Sequence, residues 1–101
     1  MKPVRLARAA LDELAAAEDW YEKNAGLGTD LVHAVRAAAH QIAERPASFP
    51  LAHGVNPSAG VRRCSVDRFP YALFFVELDA EFRVIAVAHV RRKPGYWRRR
   101  Q

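Results

Sequence analysis

The stretch from Arg91 to Arg100 sets six cations, Arg91, Arg92, Lys93, Arg98, Arg99 and Arg100, around the two rings of Tyr96 and Trp97. Guanidinium and ammonium groups at this density attract phosphate backbones or an acidic protein partner. A bend at Pro94 and Gly95 would bring the rings beside the charges, where a base could stack between aromatic and guanidinium planes. The other use for Trp97 is to pack the tail against the body of the protein. Charge is polarised along the chain. Residues 1–61 hold six Lys/Arg against seven Asp/Glu, residues 62–101 hold ten against four, and no acid follows Glu81. A merely solubilising tail is the third reading of this cluster.

Other reactive residue types carry less. His33 and His40 lie seven residues apart on one helical pattern but have no convincing third ligand, so both read as surface residues and no metal or cofactor is expected. Cys64 is the single cysteine, which excludes an internal disulfide and leaves a cysteine-based zinc site short of ligands. Its strand setting reads as an apolar filler. The longest apolar run, Phe69 to Val76, is interrupted by Pro70 and falls far short of the roughly 20 residues of a membrane span. Lys2, Arg5 and Arg8 are followed by Asp12 and Glu13 before any signal-peptide core could form, so the cytoplasm is the expected compartment and no membrane partner is expected. At 101 residues, half of them hydrophobic, residues 1–101 read as a single folded domain.

The elements that must position these residues follow from periodicity. Lys2 to Leu6 alternates as a short strand. From Arg8 to Asn24, Ala10, Leu14, Ala17 and Tyr21 fall on one helical face, and Asn24 and Gly26 suit the left-handed closure of a helix. A second stripe, Leu27, Leu31, Val35, Ala38 and Ile42, runs until Pro46 stops it near Arg45, so the two helices form an antiparallel hairpin. Pro46, Pro50, Gly54, Pro57 and Gly60 mark residues 46–60 as a loop without regular structure. Val61–Val66, Phe69–Leu78 and Phe82–Val90 read as strands, the last two joined by a hairpin turn at Asp79, Ala80 and Glu81. The order β-α-α-β-β-β is that of an α+β domain, with the hairpin on one face of a small sheet and a basic tail able to add a helical turn. The last two strands are apolar on both alternating faces, which marks central strands covered on at least part of each side. The face opposite the helices is then free to form a groove, with Tyr71, Phe74 and Phe75 offering more aromatic surface than one covered face needs, while core packing is the other role of each ring.

Four runs, WYEKNAGLG (Trp20–Gly28), ERPASFP (Glu44–Pro50), VRRCSVDRFPYALFFV (Val61–Val76) and AVAHVRRKPGYW (Ala86–Trp97), stand in this order on that frame. Together they resemble the RelE/ParE superfamily of type II toxin–antitoxin systems, and the resemblance covers nearly the whole chain. It implies a helical hairpin on a mainly antiparallel sheet, and a toxin that arrests growth when free and is inert when bound. Its implied partner is a cognate antitoxin, acidic and partly disordered, that wraps the hairpin and the sheet and orders as it binds. RelE-like members cut messenger RNA in the ribosome; ParE-like members poison DNA gyrase by binding.

Message cleavage requires a base to take the 2′-hydroxyl proton, an acid to protonate the leaving 5′-oxygen, and cations to offset charge on the phosphorane. By resemblance Arg92 and Tyr96 take the places of the RelE-like arginine and tail tyrosine, and Arg62 matches one cation of the first hairpin strand. His89 is the candidate base, although a similar histidine occurs in both branches and a structural role at the sheet edge is its other reading. Cys64 and Ala72 stand where further cations are expected; Arg63 or Arg68 could substitute, although Arg63 should face away from Arg62 on a regular strand. Nucleic-acid contact is assigned to Arg63, Arg68, Arg91, Lys93, Trp97, Arg98 and Arg99, with antitoxin docking as a second use of the same basic cluster. The leading expectation is a metal-independent, ribosome-dependent endoribonuclease acting on mRNA. The alternatives are a gyrase poison without chemistry, or a RelE/ParE-fold binding domain with neither activity.

Overall fold

The computed structural model describes residues 1–93 and 95–100, so the part of the expected tail bend that falls on Pro94 lies outside the described residues. Strand β1 (Val4–Leu6) leads into helix α1 (Arg8–Ala25) and helix α2 (Gly28–Glu44); β2 (Arg62–Ser65), β3 (Tyr71–Glu77) and β4 (Phe82–His89) follow. The sheet runs β1-β4-β3-β2, with β1 parallel to β4 and the other pairs antiparallel. The two helices pack on one face of this sheet, the α+β arrangement expected from the residue pattern. Among the described residues, no helix is long and apolar enough to cross a membrane.

The helical hairpin closes through backbone geometry. Gly26 adopts φ 68°, and the N–H groups of Gly26 and Leu27 donate to the carbonyls of Glu22 and Tyr21, satisfying the last turn of α1. Two residues on, Gly28 is buried where α2 starts against α1. A Cβ there would stand 2.8 Å from the Glu18 carbonyl oxygen, and the Gly28 N–H donates to Glu22 Oε1 at 3.1 Å. Glu22 therefore satisfies one of the free N–H groups at the start of α2 with a negative charge, which suits the positive end of that helix.

Both sheet faces are covered. On β3 the side chains alternate: Tyr71, Leu73 and Phe75 face the helices, while Phe74 and Val76 face the other way. The β3–β4 register slips between Phe74 and Phe75, so Phe74 pairs with Ala86 but Phe75 pairs with Val84. The extra β4 residue lets Val84 and Val87 pack toward the helices while the consecutive Ile85 and Ala86 both pack on the far side. The far side holds its own core of Ala52, Val61, Ile85, Ala86 and Trp97. The expected cover on part of each side is present, and it narrows the groove to a cleft: the segment through Ala52 to Val61 and the C-terminal tail cover most of that face, a hollow remains beside Phe74 and Trp97, and Tyr71 and Phe75 pack on the helical side. The segment expected to lack regular structure also contains 3₁₀ turns at Pro46–Ser48 and Pro57–Ala59 and a bridge from Leu51 to Arg62. The tail ends in a 3₁₀ turn at Arg98–Arg100.

Candidate functional site

β1 accompanies β4 only as far as Val84. Beyond that point side chains serve the β4 backbone: the Val87 N–H donates to Glu13 Oε1 at 3.0 Å, and Arg100 Nη1 donates to the Ile85 carbonyl at 3.2 Å. Strand backbone without such partners would be costly to bury. Glu13 gathers more. Arg100 Nη1 reaches its Oε1 at 2.9 Å, Arg92 Nη1 lies 3.6 Å from its Oε2, and the Tyr96 hydroxyl donates to the same Oε2. The Glu13 side chain is 14% exposed, so its attraction to the two guanidinium groups is less screened than at an open surface. The Arg92 guanidinium also lies over the Tyr96 ring, 3.6 Å from its centroid.

This clasp sets the chemistry of Tyr96. Burial, the hydrogen bond to Glu13 and the Glu13 charge together push its hydroxyl up to about 12, against the opposing pull of Arg92 and Arg100. The phenol is thus a fixed donor toward a carboxylate. At the end of β4, His89 packs edge-on to Tyr71, with ring centroids 5.2 Å apart, and its Nδ1 accepts from the Arg91 N–H at 3.1 Å. In the neutral ring the proton then sits on Nε2, which leaves neither nitrogen with a free lone pair for base work.

The four groups assigned to catalysis are not brought together. Arg92, Tyr96 and His89 share one cavity of about 450 Å³ between α1 and the sheet, with Glu13, Trp20, Tyr21 and Tyr71 among its walls. Arg62 is elsewhere: it pairs with Phe75, donates to the Phe49 carbonyl at 2.6 Å and lines a separate cleft with Pro46, Glu77 and Phe82. Arg63, paired with Phe74, takes the opposite face and lines a second cleft with His89, Arg92, Lys93, Tyr96 and Trp97.

The residues assigned to nucleic-acid contact also separate. Trp97 is 2% exposed and stacks on Phe74 with ring centroids 4.5 Å apart, so its ring is core and gives no open platform for a base. Arg68 sits in the β2–β3 turn at φ 70°, 3.7 Å from Asp30 of α2 and over the Phe69 ring. Arg91, Lys93, Arg98 and Arg99 are exposed, and Lys93, Arg98 and Arg99 line a shallow cleft beside Tyr96. Cys64 is buried against α2, with Sγ 3.9 Å from the Ala38 carbonyl oxygen, and burial pushes its thiol up. Among the described residues no group of three or more His, Cys, Asp or Glu side chains could hold a metal.

Glu13 escaped the sequence reading. Its signal was present: it lies three residues after Ala10 and four before Ala17, an acid at a position of the buried helical face.

A family model described as the ParE toxin of type II toxin-antitoxin system, parDE, matches residues 4–94. No curated protein matches the sequence. Among solved structures the chain is similar to one from the chromosomal ParDE TA system of P. aeruginosa. That match has a TM-score of 0.73 and 19% identity, over 88% of this chain and 96% of that one.

Proposed function

The chain belongs to the ParE toxin family of type II toxin–antitoxin systems, and from that premise we propose that it stops growth by binding DNA gyrase and not by cutting messenger RNA. The observation that carries this choice is the Glu13 clasp. An acid for the leaving 5′-oxygen must have its proton free to give, and Tyr96 already directs its proton at a carboxylate. The base position is equally occupied, since His89 Nδ1 accepts a backbone N–H. Arg62, paired with Phe75 on the helical side, lines a cleft with Pro46, Glu77 and Phe82 that does not reach Tyr96, so it adds no charge there. A toxin that works by occupancy needs none of these groups free.

Family membership implies an antitoxin partner, which we take to be an acidic, partly disordered segment drawn to the basic half of the chain. The cavity beside α1 supports a place for one of its apolar side chains, because Trp20 on the rim is 57% exposed beside Ala16 and Tyr21. The toxin acts in the cytoplasm, where gyrase holds its DNA.

The test is to induce the chain without its antitoxin and follow DNA integrity and protein synthesis together. DNA breaks with an SOS response, and loss of supercoiling by purified gyrase, are expected. Prompt loss of translation with cleaved messages would reverse the choice in favour of the nuclease. Normal growth with neither effect would leave a binding domain without toxicity.

A further inference from the structure

Where β3 and β4 pair Ala72 with Ala88, two methyl groups leave a hollow on the sheet face away from the helices. Phe74 and Trp97 wall this cleft, whose volume is about 180 Å³. His53, Arg63, Arg92 and Lys93 reach it from three different segments, and among the described residues no carboxylate lines it. Arg92 has Glu13 as counter-charge. Arg63 is half-buried, yet among the described residues neither it nor Lys93 has a hydrogen-bond acceptor or ion-pair partner for its side chain. A cation partly withdrawn from water without a counter-charge is held at a cost, and a bound anion removes that cost.

We propose that this cleft is an anion site for a nucleic-acid phosphodiester, held by Arg63 and Lys93 without reading the base. Two observations favour a phosphate chain over one acidic side chain. Lys93 also borders the neighbouring cleft that carries Arg99, so cations continue along the tail from the first site, matching the repeated charge of a backbone. The Arg63 guanidinium can meet two phosphate oxygens with parallel N–H donors. Neither tail ring offers a base platform beside the charges, because Trp97 is buried on Phe74 and Arg92 covers the Tyr96 ring. Contacts made by Arg63 and Lys93 to phosphate oxygens carry no base identity, so binding through them is insensitive to sequence. The inference rests on the gyrase reading for its setting, since it names the phosphodiester of gyrase-held DNA as what the toxin touches. The ligand itself is argued from the cleft.

The experiment uses the full chain freed from its antitoxin and a short fluorescein-labelled single-stranded oligodeoxynucleotide, read by anisotropy over a salt series. Arg63→Ala and Lys93→Ala should each weaken binding roughly five- to tenfold at low salt and lower the salt slope by a little under one ion. Arg63→Lys should keep the slope while losing part of the affinity, and Arg36→Ala, an exposed cation on α2, should match the parent. Equal losses from Arg36→Ala and Arg63→Ala would overturn the site in favour of diffuse charge. Arg63-dependent binding of an acidic peptide with no binding of the oligonucleotide would overturn it in favour of a protein segment. Oligonucleotide binding that depends on Arg63, in a chain that leaves gyrase supercoiling intact, would sink the gyrase reading and keep the cleft. Gyrase inhibition untouched by Arg63→Ala, without oligonucleotide binding, would do the reverse.

Discussion

The hydroxyl of Tyr96, in the tail, donates to the carboxylate of Glu13, 83 residues earlier in α1. The same carboxylate holds Arg100 and the Val87 N–H, so one side chain ties the first helix, the last strand and the tail together. Glu13→Ala leaves the Tyr96 hydroxyl and the Val87 N–H without an acceptor in a largely buried place, while Arg100 keeps the Ile85 carbonyl. The cost is set at about 2 kcal/mol, because Arg92 and Arg100 stay partly wet. Thermal unfolding followed by circular dichroism should show the midpoint lowered by roughly 10 °C. Glu13→Gln, which keeps an acceptor oxygen, should lose less. An unchanged midpoint in the alanine variant would show that the clasp contributes nothing to stability.

The raised Tyr96 hydroxyl fixes a pH window. In the unfolded chain it ionises near its ordinary value of 10.0, whereas in the folded chain it keeps its proton to about 12. Between those values the unfolded state binds fewer protons, so stability is complete below pH 10 and falls as pH rises toward 12. Tyr71 and Cys64 are raised as well and add slopes of the same sign. Denaturant titrations at alkaline pH should therefore show a slope that Tyr96→Phe reduces without abolishing. An identical slope in that variant would mean that the hydroxyl is not held as described.

Tyr96→Phe also separates the two modes of toxicity. A nuclease that used the hydroxyl as acid would lose cleavage with it, whereas a toxin acting by occupancy should still give DNA breaks when the variant is induced, provided that its fold is confirmed by circular dichroism. Loss of all toxicity from a folded Tyr96→Phe protein would return the phenol to the active machinery.

The helical hairpin was legible because the stripe from Leu31 to Ile42 keeps an uninterrupted helical period. The strands were legible because short apolar runs such as Tyr71 to Val76 are bounded by turn residues. The far-side core was legible only in part. Apolar residues on both faces of the last two strands mark cover on each side, but which residues supply it depends on the slip that turns the consecutive Ile85 and Ala86 the same way, and nothing in FRVIAVAH marks an extra residue. Trp97 stood equally for a stacking ring and a packing ring. Arg62 and Arg63 illustrate the same limit: alternation says that they part, but only the fold says which of them joins the tail. Glu13 was hidden by its charge, which placed it with the solvated acids of α1 although its position belongs to the buried stripe.

Close backbone approach makes Gly28 a further test. A methyl group there would stand 2.8 Å from the Glu18 carbonyl oxygen and 2.9 Å from Glu22 Oε1. Glu22 can swing aside, but the Glu18 carbonyl is backbone within α1, so α1 and α2 must part. Gly28→Ala should cost about 1–3 kcal/mol, the range of an overpacked contact, measured by urea unfolding. A variant as stable as the parent would show that the hairpin relaxes at no cost.

Trp20 and Trp97 should behave as opposites. Trp97 is closed in by Phe74 and the far-side core, so Trp97→Ala should lose about 3–5 kcal/mol and free the tail that carries Arg98 and Arg99. Trp20 is 57% exposed, and its ring lies edge-on to Tyr21 at the mouth of the cavity beside α1. Trp20→Ala should therefore leave the unfolding midpoint close to that of the parent. If an antitoxin side chain enters that cavity, the same change removes a binding anchor and should weaken antitoxin affinity by about 2 kcal/mol, roughly thirtyfold. Calorimetric titration of toxin with antitoxin measures this directly. Full affinity in Trp20→Ala would move the docking surface elsewhere, while a large stability loss would make Trp20 a structural ring despite its exposure.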